Sequence, residues 1–488
     1  MILRPYQLAA LEGVRNAMLA GHRRIVLVAP TGAGKTTIAA EAIRRVTARG
    51  QYVVFLAHRT ELIDQASARL DGLGIPHGIV QGDHPRFAPH LPVQVASVPT
   101  VARRKMRFPA GIIFIDEAHR TNSRSYLEIL ERSPDTFVIG LTATPIRTDG
   151  KGLGDVYSHL VEGATPAELI EQEFLLKPRI FAPERPDLSG VHSSRGDWDQ
   201  HELELAMDQA KLIGNVVEHW GKLIGRGLRT VLFATSVPHS HHLVNALAGA
   251  GARVAHLDAK TPANERKGIL ARLAAGELDI VSNVGILTEG WDLPKLVGAI
   301  LARPTQSLAL YLQMVGRIMR TDPDKDGAIL LDHAGNVYRH GFPWDPRTWS
   351  LEPTREKAQG EAPVKTCLQC YAVVPAGCTI CPECGAGFAP AEREEPTEEP
   401  GELIEVQDIP AVARPAPVRP QISHGQAVSL TTLEHRRAYA GWAAEAAAHG
   451  WDHRYAASRF YGRYGFWPSK NITDPAGLAA AGLRARHA

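Results

Sequence analysis

The chain has 488 residues, and its 44% hydrophobic and 22% charged content is ordinary for a soluble globular protein of about three domains. The formal net charge is only +2, which excludes binding to a polyanion through overall charge, so any such contact needs local basic surface. The first residues lack the apolar core of a signal peptide, and no apolar run approaches the ~20 residues of a membrane helix. We therefore expect a cytoplasmic protein with no membrane partner.

Residues 1–150 contain five continuous apolar runs, separated by segments with helical spacing. Because the runs do not alternate between apolar and polar residues, they are typical of parallel strands that helices cover on both faces. We therefore predict a doubly wound α/β domain, in which ligands gather at the carboxyl ends of the strands. The runs span residues 25–29, 52–57, 93–97, 112–115 and 137–141.

Residues 29–36, Ala-Pro-Thr-Gly-Ala-Gly-Lys-Thr, connect the first run to a predicted helix. A strand that turns through glycines into a helix start leaves unpaired N–H groups at the positive end of the helix dipole, which suits a phosphate. Lys35 can reach the β- and γ-oxygens of a nucleotide, and the Thr36 hydroxyl can ligate Mg²⁺. The strict pattern has glycine where Ala29 stands; the alternative, a glycine-rich turn that binds nothing, is disfavoured by the strand and helix on either side. The nucleotide-binding candidates here are Thr31, Gly32, Ala33, Gly34, Lys35, Thr36 and Thr37.

Two adjacent carboxylates follow the fourth apolar run. Asp116 can hold Mg²⁺, and Glu117 can orient and deprotonate an attacking water molecule. Taken alone, an acidic pair after a strand is more often a solvated strand end. Because Lys35 and Thr36 precede the pair in the same predicted domain, we favour the catalytic role.

A second series of apolar runs predicts a second parallel-sheet domain over residues 209–345, with residues 151–208 as the end of the first domain and a connector. The second series contains no phosphate loop, so a tandem ATPase is excluded. Its runs span residues 230–234, 254–257, 279–284, 297–301 and 328–331.

One predicted helix of the second domain carries Gln313, Gly316, Arg317 and Arg320 on a single face, since they recur at three- and four-residue steps. A glycine on that face permits another surface to approach closely. The two arginines can reach across a cleft and stabilise the charge on a γ-phosphate. Without the other motifs, such a pair is more often a solvated helix face.

All five cysteines fall within one short stretch. Cys367 with Cys370, and Cys381 with Cys384, form two C-x-x-C pairs that together complete a tetrahedral S₄ site for Zn²⁺. Cys378 lies three residues before Cys381, so an exchange of ligands remains an alternative. A ribbon this small has no core of its own, and we expect zinc to determine its folding. The predicted zinc ribbon spans residues 362–390, and its role in nucleic-acid contact, partner contact or structure stays open.

Beyond the ribbon, residues 391–428 are predicted to be an acidic, proline-rich linker, and residues 430–488 a small helical module. Interleaved aromatic and basic side chains in this module suit single-stranded nucleic acid, through backbone attraction and base stacking. An equally favoured alternative is that the aromatic side chains form the core of the module. The residues concerned are Trp442, Trp451, Arg454, Tyr455, Arg459, Phe460, Tyr461, Arg463, Tyr464, Phe466, Trp467 and Lys470.

The motifs of residues 1–340 resemble, in the same order, those of the superfamily-two helicases. Asp-Glu-Ala-His at 116–119 and Leu-Thr-Ala-Thr-Pro at 141–145 look like motifs II and III, residues 286–292 look like motif V, and residues 313–320 fit the Q-x-x-G-R-x-x-R of motif VI. Alanine commonly opens the phosphate loop in that superfamily, which accounts for Ala29. The resemblance implies two RecA-like domains in tandem with ATP between them, and it is nearest to the DEAH-motif branch of DNA-repair and phage helicases.

The same resemblance assigns roles to single residues. Tyr6 and Gln7 correspond to an adenine-recognising motif, in which the Gln7 amide can pair with both a donor and an acceptor on the base; Gly290 and Asp292 would contact the nucleotide. The implied catalytic set is Lys35, Asp116, Glu117, His119, Gln313, Arg317 and Arg320. The implied contacts to a nucleic-acid backbone are Arg59, Ser97, Thr100, Thr235 and Thr288.

We therefore predict an ATP- and Mg²⁺-dependent helicase or translocase, with DNA as the expected substrate and 3′ to 5′ as the expected direction. A site split between two domains would make hydrolysis depend on domain closure. The alternatives are an ATP-regulated nucleic-acid clamp that recruits partners without unwinding, an RNA helicase, and a metabolic phosphotransferase. Expected protein partners are replication, repair or phage-encoded proteins in a bacterial or phage-infected cell.

Overall fold

The computed structural model describes residues 3–109, 111–147, 152–182, 186–188, 190–194, 197–352 and 363–388, together with 439–443, 445, 456, 459 and 460. The chain divides into two compact units, Met1–Glu392 and Arg393–Ala488. Among the described residues, no helix is both long enough and apolar enough to cross a bilayer.

The first domain is built on a seven-stranded, all-parallel sheet in the order β3-β4-β2-β5-β6-β1-β7. Helices α1–α3 pack their apolar sides on one face of the sheet, and α4 and α5 pack on the other, so each face has its own core. The strands are β1 Arg24–Val28, β2 Tyr52–Ala57, β3 Gly78–Val80, β4 Val93–Ser97, β5 Gly111–Asp116, β6 Phe137–Thr142 and β7 His159–Glu162. The helices are α1 Pro5–Leu19, α2 Lys35–Thr47, α3 Thr60–Asp71, α4 Val98–Arg103, α5 Arg124–Glu131 and, after β7, α6 Pro166–Glu171.

The second domain is built on a six-stranded, all-parallel sheet in the order β12-β13-β11-β14-β15-β8. Helices α8 and α9 cover one face, and α10 and α11 cover the other. The strands are β8 Arg179–Phe181, β11 Thr230–Ala234, β12 Val254–Leu257, β13 Ile280–Asn283, β14 Gly298–Ala302 and β15 Ile329–Asp332. A separate short pair is formed by β9 Ser193–Ser194 and β10 Asp197–Trp198, which are antiparallel. The helices are α7 Gln200–Met207, α8 Ala210–Leu223, α9 Val237–Gly249, α10 Ala263–Ala275, α11 Leu308–Gly316 and α12 Asn336–His340.

The predicted fold class, two parallel-sheet α/β domains in tandem, is confirmed. The segment predicted to be a connector supplies an edge strand to each sheet, β7 to the first and β8 to the second. The apolar core beneath α11 also continues across to Tyr6, Ala29 and Ala33 of the first domain. The two domains therefore meet directly beside the phosphate loop.

After α12 the chain runs back to the first domain as a return segment, residues 342–352. The Gly154 N–H donates to the Leu351 carbonyl at 2.9 Å. The Leu351 side chain packs on the core that contains Leu153 and Val156. The two domains are thus linked twice, once by the connector before β8 and once by this segment.

The cysteine-rich module follows as a short antiparallel pair, β16 Val364–Thr366 and β17 Val373–Pro375. Cys367 and Cys381 are 2% and 1% exposed and share a core with Trp220 of the second domain. The module is therefore packed into the second domain. The predicted linker at 391–428 lies outside the described residues, as does most of the predicted tail module; within that unit Phe460 is fully buried, with its ring 6.1 Å from that of Tyr439.

Candidate active site

A cavity of about 810 Å³ opens between the two domains, beside the carboxyl ends of the strands of the first sheet. Because parallel strands present their carboxyl ends on the same edge, this is where a doubly wound fold places ligand-binding residues. Both domains contribute to its wall. The predicted site residues that line it are Tyr6, Gln7, Thr31, Gly32, Gly34, Lys35, Thr36, Thr37, Asp116, Glu117, Gly290, Asp292, Arg317 and Arg320.

The loop between β1 and α2 forms one wall of the cavity. Gly32 and Gly34 have φ angles of +91° and +79°, which residues with a side chain rarely adopt. Helix α2 begins immediately afterwards at Lys35. The Lys35 ammonium donates to the carbonyls of Ala29 at 3.0 Å and Pro30 at 3.3 Å. Burial lowers the pKa of Lys35, although the nearby carboxylates oppose that shift. The lysine is thus held at the loop by carbonyl oxygens that a phosphate could replace.

Asp116 ends β5, and Glu117 follows it with a left-handed backbone, φ +53°. Such a conformation costs a non-glycine residue about 1 kcal/mol or more and is found at functional sites. Burial, together with repulsion from Glu117, raises the pKa of Asp116 to about 7. Asp116 and the Thr36 hydroxyl line the same cavity and offer the hard oxygen ligands that Mg²⁺ prefers, so the residues present fit this ion.

The base-recognising candidates are tied to the phosphate loop. The Tyr6 hydroxyl and the Gln7 amide both donate to the Ala33 carbonyl at 3.1 Å. Phe174, which the sequence did not single out, lines the same end of the cavity. Its ring centroid lies 5.2 Å from that of Tyr6, and the Arg4 guanidinium stacks over it at 4.5 Å. An aromatic side chain in the connector is therefore placed to contact a bound base.

The paired arginines line the cavity together with the phosphate loop, but not from one helix as predicted. Helix α11 ends at Gly316, Arg317 caps it, and Arg320 lies beyond it in a bridge with Leu175. Arg317, which is 6% exposed, donates to the carbonyls of Thr288 and Trp291. Arg320 pairs with Asp292, and burial lowers the pKa of Arg320 to about 10. Both arginines therefore secure residues 288–292 while pointing toward the nucleotide cavity.

Gln313 and His119 lie behind the cavity wall rather than on it. Gln313 is 4% exposed, and its amide nitrogen has no hydrogen-bond partner among the described residues. His119 is 7% exposed and lies between two carboxylates, with Nδ1 3.4 Å from Glu117 and Nε2 3.4 Å from Glu289. Glu289 is a second residue that the sequence reasoning missed, although it stands inside the quoted motif V segment.

The predicted nucleic-acid contacts are placed in different surroundings. Thr235 is 1% exposed and its hydroxyl is hydrogen-bonded to His239 at 2.7 Å, while Thr288 is 6% exposed. The Thr100 hydroxyl accepts the Gly82 N–H at 3.1 Å. The two remaining candidates are Ser97, the residue before α4, and Arg59, which donates to the Ile286 carbonyl of the other domain at 2.9 Å.

Four cysteines converge outside the cleft. The Sγ atoms of Cys367, Cys370, Cys381 and Cys384 all lie within 4.8 Å of one another, with two pairs at 3.6 and 3.7 Å. Ligands of a tetrahedral zinc–thiolate site are separated by about 3.8 Å, since each Zn–S bond is about 2.3 Å. The donor set and its spacing therefore fit Zn²⁺, and Cys378 does not belong to this group.

Comparison with known proteins agrees with this arrangement. Residues 1–147 match the family model for the type III restriction enzyme res subunit, and residues 215–322 match the helicase conserved C-terminal domain. A 51.5 kDa protein of a Lactococcus phage is 31% identical over 394 residues, covering 79% of this chain and 83% of that protein.

Two further relatives and one solved structure extend the comparison. The putative ATP-dependent helicase IRC3 of Saccharomyces cerevisiae is 30% identical over 68% of this chain. The matched region spans about half, 52%, of the length of IRC3. The DNA 3′-5′ translocase XPB2 of Sulfurisphaera tokodaii is 24% identical over 67% of this chain and 80% of its own length. A fragment of a putative type I restriction enzyme HsdR subunit from Vibrio vulnificus superposes with a TM-score of 0.56 at 20% identity, covering 72% of this chain and 68% of the fragment.

Proposed function

Because this chain belongs to the superfamily-two helicases, we propose that it moves along DNA from 3′ to 5′ and unwinds it at the expense of ATP. The chain is an enzyme of the ATP-hydrolysing helicase class. The observation that carries the proposal is the shared cavity. Lys35 and Asp116 enter it from the first domain, and Arg317 and Arg320 enter it from the second.

The geometry supports a separate role in ATP hydrolysis for each of these residues. Lys35 exchanges the loop carbonyls for the β- and γ-phosphates, and Glu117 orients the attacking water and accepts its proton. Mg²⁺ held by Thr36 and Asp116 would neutralise charge on those phosphates. Arg317 and Arg320 stabilise the charge of the transferred group only when the second domain closes on the first. Hydrolysis is thereby tied to a movement between the domains.

Domain roles follow from the same proposal. Residues 1–150 and 209–345 act as the two RecA-like motor domains, and residues 151–208 complete the first domain and connect it to the second, adding an edge strand to each sheet. The four cysteines would hold Zn²⁺ in a ribbon at 362–390. The tail at 430–488 would add contacts to a single strand.

DNA as the substrate and the direction of movement are supported by the relatives. One of them is named as a DNA 3′-5′ translocase, and another comes from a phage. The phage relative also favours a bacterial or phage-infected cytoplasm as the location, with replication, repair or phage-encoded proteins as partners. An RNA substrate is the alternative, because contacts to a phosphate backbone do not by themselves distinguish the two polymers.

The deciding experiment compares ATP hydrolysis with single-stranded DNA, duplex DNA, forked DNA and RNA. We expect DNA to stimulate hydrolysis and a 3′ single-stranded arm to support strand and triplex displacement. Stimulation by DNA without either displacement would favour the ATP-regulated clamp, and stimulation by RNA alone would favour an RNA helicase. Hydrolysis that no nucleic acid stimulates would favour a phosphotransferase, although paired arginines on a separate domain argue against that class.

A further inference from the structure

Glu289 of the second domain is surrounded by four side chains of the first domain. Arg120 donates two hydrogen bonds from Nη2 to its carboxylate, at 2.9 and 3.0 Å. His119 Nε2 lies 3.4 Å away, His58 Nε2 3.5 Å and Arg59 Nε 3.7 Å. Glu289 is only 6% exposed. A single buried carboxylate therefore joins the two halves of the cleft.

In the cluster formed by Glu289 and the side chains of Arg120, His119, His58 and Arg59, the pKa values of Glu289 and His58 depend on the neighbouring charges. Burial alone would raise the pKa of Glu289, but the adjoining His119 and the charge of Arg120 outweigh it and hold that pKa well below its ordinary value. Burial and the Arg120 charge lower the pKa of His58 to about 4, so this histidine is neutral near pH 7. A buried charge left without its partners is strongly destabilising, so the members of the cluster hold one another in place.

His119 links this cluster to the catalytic carboxylate. Its ring contacts Glu289 through Nε2 and Glu117 through Nδ1, each at 3.4 Å. The Glu117 atom in this contact is Oε2, and in the described part of the chain neither it nor His119 Nδ1 makes a hydrogen bond. The His119 ring therefore limits where Glu117 Oε2 can lie. Glu289, in turn, holds the His119 ring in its position.

Arg59 links the cluster to the predicted nucleic-acid surface. Its side chain is 25% exposed, contacts Glu289, and donates to the carbonyl of Ile286 in the same loop. The next residue but one, Thr288, accepts a hydrogen bond from Arg317. The loop that carries Glu289 is thus hydrogen-bonded both to Arg59, a predicted contact to nucleic-acid phosphates, and to Arg317, which lines the nucleotide cavity.

We propose that Glu289 is a positioning residue that transmits occupancy of the nucleic-acid surface to Glu117 through His119. This inference rests on the proposed function and deepens it. When a phosphate of the nucleic-acid strand pairs with Arg59, the interaction of Arg59 with Glu289 weakens. The Glu289 carboxylate then binds Arg120 and His119 more tightly. The His119 ring, held in this way, keeps Glu117 where Oε2 can accept the proton of the attacking water.

The test is the variant Glu289→Gln, which keeps the shape of the side chain and removes its charge. ATP hydrolysis is measured with and without single-stranded oligothymidylate, and affinity for the oligonucleotide is measured by fluorescence anisotropy. We expect the stimulated kcat to fall about tenfold or more, since small displacements of a catalytic group have effects of that size. The KM for ATP and the oligonucleotide affinity should stay within about twofold of wild type, because binding is not the step affected.

Glu61 provides the matched control. It also joins the two domains, through a 2.9 Å ion pair with Arg266, but it takes no part in the ion pairs of Glu289 described above. Glu61→Gln should therefore keep the wild-type ratio of stimulated to basal kcat. If Glu289→Gln keeps that ratio too, or if both variants lose it equally, the inference is overturned.

A second variant guards against misfolding of the first. The Arg120 side chain is 39% exposed, so Arg120→Gln tests the cluster without emptying a core position. It should lower the same ratio, and combining it with Glu289→Gln should add little, because the two residues act through one contact. An unchanged ratio in Arg120→Gln would count against the inference even if Glu289→Gln does not fold. A wild-type enzyme that no nucleic acid stimulates would instead overturn the proposed function, and the inference with it.

Discussion

Gly316 at the end of α11 lies directly against Thr31 of the phosphate loop: a Cβ at Gly316 would be 2.4 Å from Thr31 Cβ. Real Cβ atoms do not approach so closely, so any side chain at this position must move the helix away from the loop. The contact joins the end of α11, immediately before Arg317, to the loop proposed to receive the phosphates. Glycine is therefore required here by the approach of the two domains.

We predict that Gly316→Ala lowers the kcat for ATP by about tenfold or more, because it displaces Arg317 and Arg320 from the cavity. Thermal melting should change little, since the clash lies between domains. Gly327→Ala is the control, because a Cβ there meets no atom within 4 Å. A Gly316→Ala enzyme with wild-type kcat would show that the observed approach is not the catalytic one.

Lys35→Ala should abolish ATP hydrolysis, with a loss of about a hundredfold or more, because it removes the charge aimed at the phosphates. The fold should survive, since the ammonium contacts only two loop carbonyls and its burial is unfavourable to the charge. Steady-state hydrolysis and circular-dichroism melting check both parts. Lys222→Ala, at an exposed helical position, should match wild type. A kcat for Lys35→Ala within about tenfold of wild type would contradict the assignment of this loop.

Phe174→Ala should raise the KM for ATP by about tenfold while changing kcat little, because stacking on a base contributes about 1–3 kcal/mol. Phe174→Trp should retain the wild-type KM, since it keeps an aromatic face beside Tyr6 and Arg4. Hydrolysis of tripolyphosphate, which has no base, should be equal in all three proteins. An unchanged KM in Phe174→Ala would mean that the ring only packs against Tyr6.

Removal of zinc should destabilise the second domain. Cys367 and Cys381 lie in the same core as Trp220, so losing the metal would expose apolar surface on both sides of that contact. We expect Cys381→Ser, or treatment with a strong chelator, to lower the melting temperature by about 5 °C or more. Atomic absorption should find one zinc per chain in wild type and in Cys378→Ser, and loss of zinc from Cys378→Ser would show that this cysteine is a ligand.

Much of the site could be predicted because its residues belong to short sequence motifs next to recognisable apolar strands. The loop at 29–36 and the Asp116–Glu117 pair each follow an apolar strand, and parallel strands bring their carboxyl ends together whatever the loops do. The single helix face predicted for Gly316, Arg317 and Arg320 is wrong, because α11 ends at Gly316 and Arg320 forms a bridge with Leu175; the two arginines nevertheless line the cavity. Fourteen predicted residues accordingly line one cavity.

The remaining features depend on contacts between distant parts of the chain. Glu289 and Arg120 are separated by 169 positions, and neither has a local pattern that reveals the other. Phe174 enters the cavity because the chain turns at Glu173, which has φ +59°, a conformation no sequence rule would assign to glutamate. The Thr235 hydroxyl faces His239, a pairing that a motif match at Thr235 does not indicate.

Three of the four edge strands of the two large sheets, β3, β7 and β8, were missed for a related reason, whereas β12 was predicted. β7 has only two apolar residues, Leu160 and Val161, and it is a strand because β1 provides a pairing partner on that side. The short β8 is likewise completed by β15. Local propensity is a weak guide where a neighbouring strand supplies the hydrogen bonds.

The return segment has a consequence for the order in which the protein is made. Leu351 completes the apolar core beside Leu153 and Val156, yet about two hundred residues separate it from them along the chain. A ribosome must therefore release the whole second domain before the first domain can cover that surface. Until then, the part of the first-domain core that Leu351 covers stays exposed, and a chaperone could bind there. Ribosome-stalled chains that still hold Leu351 inside the exit tunnel should be less resistant to protease than longer chains from which Leu351 has emerged.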